Sequence, residues 1–275
     1  MNQLCQTVGV SRAGYYRFLL RPQCPEADME LRSQIQSIAL RWPAYGYRRM
    51  QAELERQGWR VNHKRVLRLM RIDNLLCWRR RKFILTTDSK HGLPIYPNLA
   101  KDMMLTGINQ LWVADITYIR LAMEFVYWAV VLDAFSRSCV GWALQRSLEA
   151  ALVLEALRRR HPASGSLVHH SDRGVQYAAR DYTQVLEQHG IRISMSRGGN
   201  AYDNALAESF IKTLKYEEVY RTEYHNLEEA KASMQQFLEK IYNQKRLHAA
   251  LGYRPPREFE KSLSVSSSGG TGAVA

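Results

Sequence analysis

The stretch Leu111-Trp112-Val113-Ala114-Asp115-Ile116-Thr117-Tyr118 sets one carboxylate inside an otherwise apolar, β-branched and aromatic run. Burying a charge there is costly unless it is paired or bound to a metal. Residues 111–121, 124–134 and 137–145 are all rich in Val, Ile, Tyr, Trp and Phe, with very short connections. They read as three sequential antiparallel strands. A helix is expected over 148–160, and a fourth strand over 166–171, ending at Asp172. A helix over 179–189 stops at Gly190, a fifth strand spans 191–196, and a Gly/Asn loop at 198–200 leads to a helix over 203–216. The later helix, 227–242, carries Leu227, Ala230, Met234, Phe237 and Ile241 as a core-facing stripe.

Three strands, helix, strand, helix, strand, helix is the order of an RNase H-like catalytic core, an α/β fold with a five-stranded mixed sheet and helices. In that topology strands one and four are neighbours, so Asp115 and Asp172 meet at one spot. Glu208 lies one turn into the next helix and brings a third carboxylate there. Each acid alone has a structural explanation: a buried hydrogen-bonding Asp, a turn Asp, a surface Glu. Together they form an oxygen-rich anionic site suited to magnesium or manganese. Two such ions about 4 Å apart activate an attacking oxygen and stabilise the leaving oxygen of a phosphodiester. Asp133, which also ends a strand, reads instead as a turn residue.

The first hundred residues have a different texture. The chain has 275 residues and a formal charge of +13. Residues 1–100 hold 18 Lys and Arg against 7 Asp and Glu; the remaining 175 hold 21 against 19. A basic third beside a nearly neutral remainder points to a nucleic-acid contact module. Short helices are expected over 2–8 and 11–20, the second capped by Ser11. Another starts at Asp28, with Leu31, Ile35 and Ile38 on one stripe, and ends at Pro43. A helix over 47–57 stops near Gly58, and Asn62 caps one running to about residue 74. On that last helix Lys64, Arg68 and Arg71 share a face, with Arg65 beside them. Two helices about a Gly-containing turn, the second basic, fit a helix-turn-helix. Arg48 and Arg49 precede it, and Arg79, Arg80, Arg81 and Lys82 extend the positive surface.

No apolar run reaches the roughly 18 residues of a membrane helix, and no secretory signal opens the chain. The expectation is a cytoplasmic protein, with Cys5, Cys24, Cys77 and Cys139 as free thiols. The expected organisation is a short helical segment over 1–24, a basic helix-turn-helix-like domain over 28–83, and a linker over 84–104. The catalytic core follows over 105–225, a helical extension over 226–261, and a disordered tail over 262–275.

At these residues the sequence resembles the second-frame transposases of bacterial insertion sequences of the IS-three family, within the DDE transposase and retroviral integrase superfamily. Thirty-five residues separate Asp172 from Glu208, and Lys215 follows seven residues on, where the family carries a basic residue. The blocks His170-Ser-Asp-Arg-Gly-Val-Gln-Tyr177, Ser194-Met-Ser-Arg-Gly-Gly-Asn-Ala-Tyr-Asp-Asn-Ala205 and Glu208-Ser209-Phe210 resemble family signatures. So do Tyr242-Asn-Gln-Lys-Arg-Leu-His248 and Leu251-Gly-Tyr-Arg-Pro255, and upstream Tyr45-Gly-Tyr-Arg-Arg49 and Val61-Asn-His-Lys-Arg-Val66. The match runs over about residues 3–261.

The resemblance implies divalent-metal-dependent cleavage and strand transfer at element ends. Asp115, Asp172 and Glu208 would ligate two Mg2+ ions, with Mn2+ as a substitute. Lys215 and Lys212, on one helical face with Glu208, would hold the DNA backbone, and Arg173 and Asn200 would orient it. His170 would shape the site and His169 the core. The implied partners are the element's terminal inverted repeats, target DNA, further copies of the chain on paired ends, and an upstream-frame segment as fusion or partner. The rivals are an RNase H-like or junction nuclease, which hydrolyses without joining, a retroelement integrase, disfavoured by the missing zinc ligands, and a transposase-derived DNA-binding regulator without catalysis of its own.

Overall fold

The computed structural model describes residues 5, 7, 9–19, 28–76, 93–158, 166–197 and 204–268. The chain divides into two compact units, Met1–Arg79 and Arg80–Ala275.

The first unit is helical. Helix α1 is Arg12–Leu19, and Ser11 Oγ accepts from the Gly14 N–H at 3.0 Å, closing its first turn as an N-cap does. The helix expected over 2–8 lies almost wholly outside the described residues. Helix α2 (Met29–Arg41) buries Leu31, Ile35 and Ile38, and the chain breaks at Trp42, before Pro43, because proline disfavours helical backbone in the residue ahead of it. Helix α3 (Tyr47–Arg56) buries Met50 and Leu54. The chain then turns through Gly58, whose φ of +90° is open to glycine and strained for other residues. Helix α4 (His63–Ile72) starts at Asn62, whose Oδ1 accepts from the Lys64 N–H at 2.8 Å, and buries Val66, Leu69 and Met70. These apolar stripes form one core shared by α2, α3 and α4.

The second unit is built on five strands: β1 (Leu111–Arg120), β2 (Phe125–Asp133), β3 (Cys139–Gln145), β4 (Val168–Ser171) and β5 (Arg192–Met195). Their order in the sheet is β3-β2-β1-β4-β5. β1 is antiparallel to β2 and parallel to β4; β4 is parallel to β5. This is the mixed sheet of the RNase H-like fold, with β1 at its centre. The turn after β2 is held by Asp133, whose Oδ1 accepts from the N–H groups of Phe135 (3.0 Å) and Ser136 (2.8 Å), so Asp133 is a turn residue.

Helices cover both faces. Helices α5 (Ala150–Arg158), α6 (Val175–Ala178) and α7 (Arg180–Gln188) pack on one side, through Leu152, Ala156, Tyr177, Tyr182 and Leu186. Gly141 on β3 makes that packing possible, since a Cβ there would stand 2.1 Å from the Ala156 carbonyl oxygen. Helices α8 (Ala205–Glu217) and α9 (Leu227–Gln236) pack on the other, where Trp128 stacks on Phe210 at 5.7 Å. Each such large side chain contributes about 1.5–3 kcal/mol when fully buried.

Three expectations change. The stripe expected over 227–242 meets the core, with Ala230, Met234 and Phe237 buried and Leu227 and Ile241 packed against them, but the single helix does not hold, because α9 passes into a π-helical turn, Phe237–Tyr242. The wider turn delivers Leu238 and Tyr242 to the core and leaves Ile241 partly buried. The linker expected over 84–104 is not detached in its described half: Ala100 and Met103 pack on one core cluster and Tyr96 on the other. Leu99 N–H also donates to Ser194 Oγ at 2.9 Å. The tail expected to be disordered from residue 262 is helical to Ser268, in α10 (Pro256–Ser268). Ser136 Oγ donates to Glu260 at 2.7 Å, and Phe259 packs on Phe135 with centroids 5.6 Å apart. Serines follow the helix by bonding back to carbonyls one turn earlier, Ser262 to Phe259 at 2.7 Å and Ser264 to Lys261 at 2.8 Å.

Candidate active site

The register between β1 and β4 ends with Trp112 opposite His169 and Val113 opposite His170. Asp115 and Asp172 each lie two residues beyond that last pair, so side-chain alternation directs both to the same side of strands spaced about 4.8 Å apart. Asp172 is held by its turn: its Oδ1 accepts from the Gly174 N–H at 3.0 Å. Asp115 Oδ1 accepts from the Ile116 N–H at 2.8 Å.

Glu208 stands in the first turn of α8. A carboxylate there is favoured by the positive end of the helix dipole. Asn204, immediately before the helix, is not its cap. Its Nδ2 donates instead to the Ala114 carbonyl at 3.0 Å, which pins the start of α8 to the strand residue next to Asp115.

Asp172 and Glu208 are near enough for their charges to act on Asp115. Burial pushes the Asp115 carboxyl up to about 8, and the charges of Asp172 and Glu208 push the same way. Lys215, two turns after Glu208, opposes them; burial lowers its own ammonium while Asp115 pulls it back up. The Lys215 Nζ lies 4.7 Å from the centre of the Tyr118 ring, a cation–π contact that places it over β1.

His170 is fully buried, with Nδ1 2.8 Å from Ser194 Oγ and Nε2 3.1 Å from Ser196 Oγ. Both ring nitrogens are engaged, so the residue braces β4 against β5. His169 contacts the Tyr182 hydroxyl at 2.9 Å, and burial lowers it to about 3, which keeps it neutral. Arg173 Nε donates to the Ser196 carbonyl at 2.8 Å, and Lys212 is exposed. Asn200 lies outside the described residues.

The trio is an all-oxygen donor set, and burial together with two neighbouring carboxylates disfavours the ionised form of Asp115. Such a donor set suits a hard divalent cation. As the side chains stand, no three His, Cys, Asp or Glu among the described residues converge tightly enough to hold a metal ion.

In the first unit Lys64, Arg65, Arg68 and Arg71 are exposed on α4. Two of them are also engaged. Asp28, its side chain 3% exposed, accepts from Arg65 Nε at 2.9 Å and from Arg68 Nη2 at 2.9 Å. Those hydrogen bonds hold the Asp28 carboxyl below its usual range. Arg48 and Arg49 sit on α3, their guanidinium groups 5.5 Å and 5.7 Å from the rings of Tyr47 and Tyr45. Arg79, Arg80, Arg81 and Lys82 lie outside the described residues. Sequence reasoning placed Asn204 inside the helix expected over 203–216 and missed its contact to β1.

Comparison with known proteins places these features. Residues 106–201 match the family described as integrase core domain, a second integrase core domain family matches 189–256, and an HTH-like domain matches 26–83. The chain is 39% identical over 266 residues to the insertion element IS600 uncharacterized 31 kDa protein of Shigella sonnei, covering 94% of this chain and 97% of that protein. It is 34% identical over 271 residues to transposase InsF for insertion sequence IS3A of Escherichia coli (strain K12), covering 94% and 93%. Among solved structures, the HTLV-2 integrase catalytic core domain in complex with magnesium is 15% identical, with a TM-score of 0.42 over 55% of this chain and 96% of that one. The BIV integrase catalytic core domain is 16% identical, with a TM-score of 0.42 over 58% and 99%.

Proposed function

The chain belongs to the IS-three (IS3) family of insertion-sequence transposases, and we propose that it cuts DNA at element ends and joins the freed 3′-hydroxyl to a target, with Asp115, Asp172 and Glu208 as its metal-binding residues. The observation that carries this reading is the coupling of the three carboxylates at the centre of an integrase-core sheet. The charges of Asp172 and Glu208 act on Asp115, and the side chains come from β1, the residue after β4 and the first turn of α8.

Two Mg2+ or Mn2+ ions held by these residues would supply activation of the attacking oxygen and stabilisation of the leaving one. The chain's own groups do the rest. Asp115, raised to about 8 and so largely protonated at neutral pH, would have to give up its proton to hold an ion. Lys215 offers its ammonium to the phosphate from the Tyr118 ring, where it cannot neutralise Asp115 fully. Asn204 fixes the distance between the helix carrying Glu208 and the strand carrying Asp115. The exposed cations of α4 hold duplex DNA through its phosphates. Paired ends require at least two chains, because retained ends raise the effective concentration of the joining partner.

The test is an in vitro reaction of the purified chain with Mg2+, a duplex carrying the terminal repeat of its own element, and a supercoiled target. Joined product is expected, and Asp115→Asn, Asp172→Asn and Glu208→Gln should each abolish it while DNA affinity persists. Substantial joining by any one of the three variants would refute the assignment. Hydrolysis without joining would identify a nuclease, and binding without either would identify a regulator.

A further inference from the structure

A cleft of about 400 Å³ opens beside Asp172 and is not explained by metal ligation. Its floor is the surface of β1 and β2, with Ile116 and Tyr118 from one strand and Phe125 and Tyr127 from the other. Strand alternation puts each of these pairs on a single face. Tyr118 is directly opposite Tyr127 in the register. Leu148 and Gln176 also line it, tied together where Gln176 Nε2 donates to the Leu148 carbonyl at 3.1 Å. Tyr118 and Phe125 meet edge to face with centroids 5.6 Å apart. Phe125 is 54% exposed, a large ring left in water on an otherwise well-packed strand. The Lys215 ammonium lies against the Tyr118 ring. The cleft is therefore lined by a carboxylate of the trio and by three aromatic rings, with a cation against one of those rings.

We propose that this cleft is a subsite for one unpaired nucleobase of the DNA strand whose phosphate lies at Asp115, Asp172 and Glu208. The inference rests on the strand-transfer reading and names what that site does with the strand beside the reacting phosphate. A flat, apolar slot edged with rings suits a base, because every base has a π-face to stack. Covering Phe125 removes apolar surface from water, which the free protein leaves exposed. Lys215 supplies the opposite charge that the attached sugar-phosphate needs. The volume is near the lower end of the roughly 300–1,000 Å³ typical of ligand sites, room for a nucleoside and not for a duplex. Stacking carries little sequence information, so the subsite selects for an unpaired base at that position whatever its identity.

The experiment uses the full-length chain with Asp115→Asn, so that no turnover occurs, and a forked duplex whose unpaired arm carries 2-aminopurine next to the junction. Binding should quench the 2-aminopurine fluorescence, and a fully paired duplex with the same label should show no quench. Phe125→Ala should abolish the quench and weaken affinity for the fork by about 5- to 150-fold, the range for losing one base–aromatic stack. Phe125→Leu, which keeps an apolar side chain and the fold, should behave like Phe125→Ala, and Phe125→Tyr should restore the quench. An unchanged quench in both Phe125→Ala and Phe125→Leu overturns the proposal, as does equal quenching of fork and paired duplex. A Phe125-dependent dimer in sedimentation, with no quench by any DNA, overturns it in favour of a second copy seated in the cleft. Quenching as expected from a chain that shows no strand transfer keeps the subsite and removes the reaction; transfer without a Phe125-dependent quench does the reverse.

Discussion

Replacing Asp115 with Asn should destroy the reaction and make the protein more stable. The Asp115 carboxyl is raised from 3.8 to about 8, first by burial and then by the charges of Asp172 and Glu208. Between those two values the folded chain binds more protons than the unfolded one, so stability falls as pH rises through the window. For this acid the folded value lies above the unfolded one, the reverse of a salt-bridged carboxylate. Its stabilising contribution is complete below about pH 4 and is lost progressively until pH 8. At pH 7 the penalty relative to the unfolded chain is about 4 kcal/mol, from roughly three pH units at about 1.36 kcal/mol each. Relaxation of the side chain towards water reduces the realisable gain to about 1–3 kcal/mol. An isosteric amide carries no charge at any pH and escapes the penalty. In a domain of this size that gain corresponds to a rise in Tm of about 3–10 °C. The assay is calorimetry of wild type and Asp115→Asn at pH 5, 6, 7 and 8 without divalent metal. The gap should widen towards pH 8. Addition of Mg2+ should narrow it, because a cation that binds the folded site stabilises the wild type preferentially. An Asn variant less stable than wild type at pH 8, or a gap independent of pH, would refute the reasoning that the acids repel in a poorly solvated space.

Three further outcomes follow from the packing and charge. Asp28 and Asp73 are both held below their ordinary range by arginines, so the first unit should lose stability as pH falls below about 4, towards their folded values; circular dichroism from pH 6 to 2 checks this, and Asp28→Asn should remove about 1–2 kcal/mol at neutral pH, discounted because Arg65 and Arg68 are half-exposed. Gly141→Ala should cost about 1–3 kcal/mol by overpacking, since the new Cβ would collide with the Ala156 carbonyl, and a thermal melt unchanged within error would contradict the close approach of α5. The double change Lys64→Ala and Arg71→Ala should lower the slope of log affinity for duplex DNA against log salt by about 1.8, at about 0.9 for each phosphate no longer neutralised; a slope that stays put would mean α4 does not meet the backbone.

Much of the core was legible because its signals are local. Alternation and short connections reveal β1 to β3, and a lone Asp in the middle of β1 marks itself by its cost. The first unit announces its helices through Asn62, Gly58 and the stripe of Leu31, Ile35 and Ile38. What escaped depends on partners distant in sequence. Nothing near Arg65 or Arg68 says that Asp28, 37 and 40 residues away, engages them. Asn204 reads as one more residue of the helix expected over 203–216, and only the strand beside it, 90 residues away in sequence, reveals the contact to Ala114. The π-helical turn at Phe237–Tyr242 shifts a face by inserting one residue per turn, which periodicity over a short window does not resolve. The Ser-rich run after Lys261 has the composition of a loose tail, yet the hydroxyls of Ser262 and Ser264 bond back along a helix already anchored by Phe259 and Glu260.

The stability cost at Asp115 and the polar scaffold around it belong to one design. Two of the groups that brace the site are neutral: His169 against Tyr182 and Asn204 on Ala114. Neutral braces fix positions without cancelling the field of the carboxylates. Lys215 is the counter-charge that acts on Asp115, and its own burial weakens it. A fold selected for stability alone would pair Asp115 with an arginine, as Asp28 is paired in the first unit. Such a pair would occupy the carboxylate oxygens and lower the affinity for a cation delivered from solution. The contrast between these two aspartates separates their roles on physical grounds. Asp28 uses its charge inside the chain, and Asp115, largely protonated at neutral pH, keeps its oxygens open to a cation at the cost of destabilising the strand that carries it.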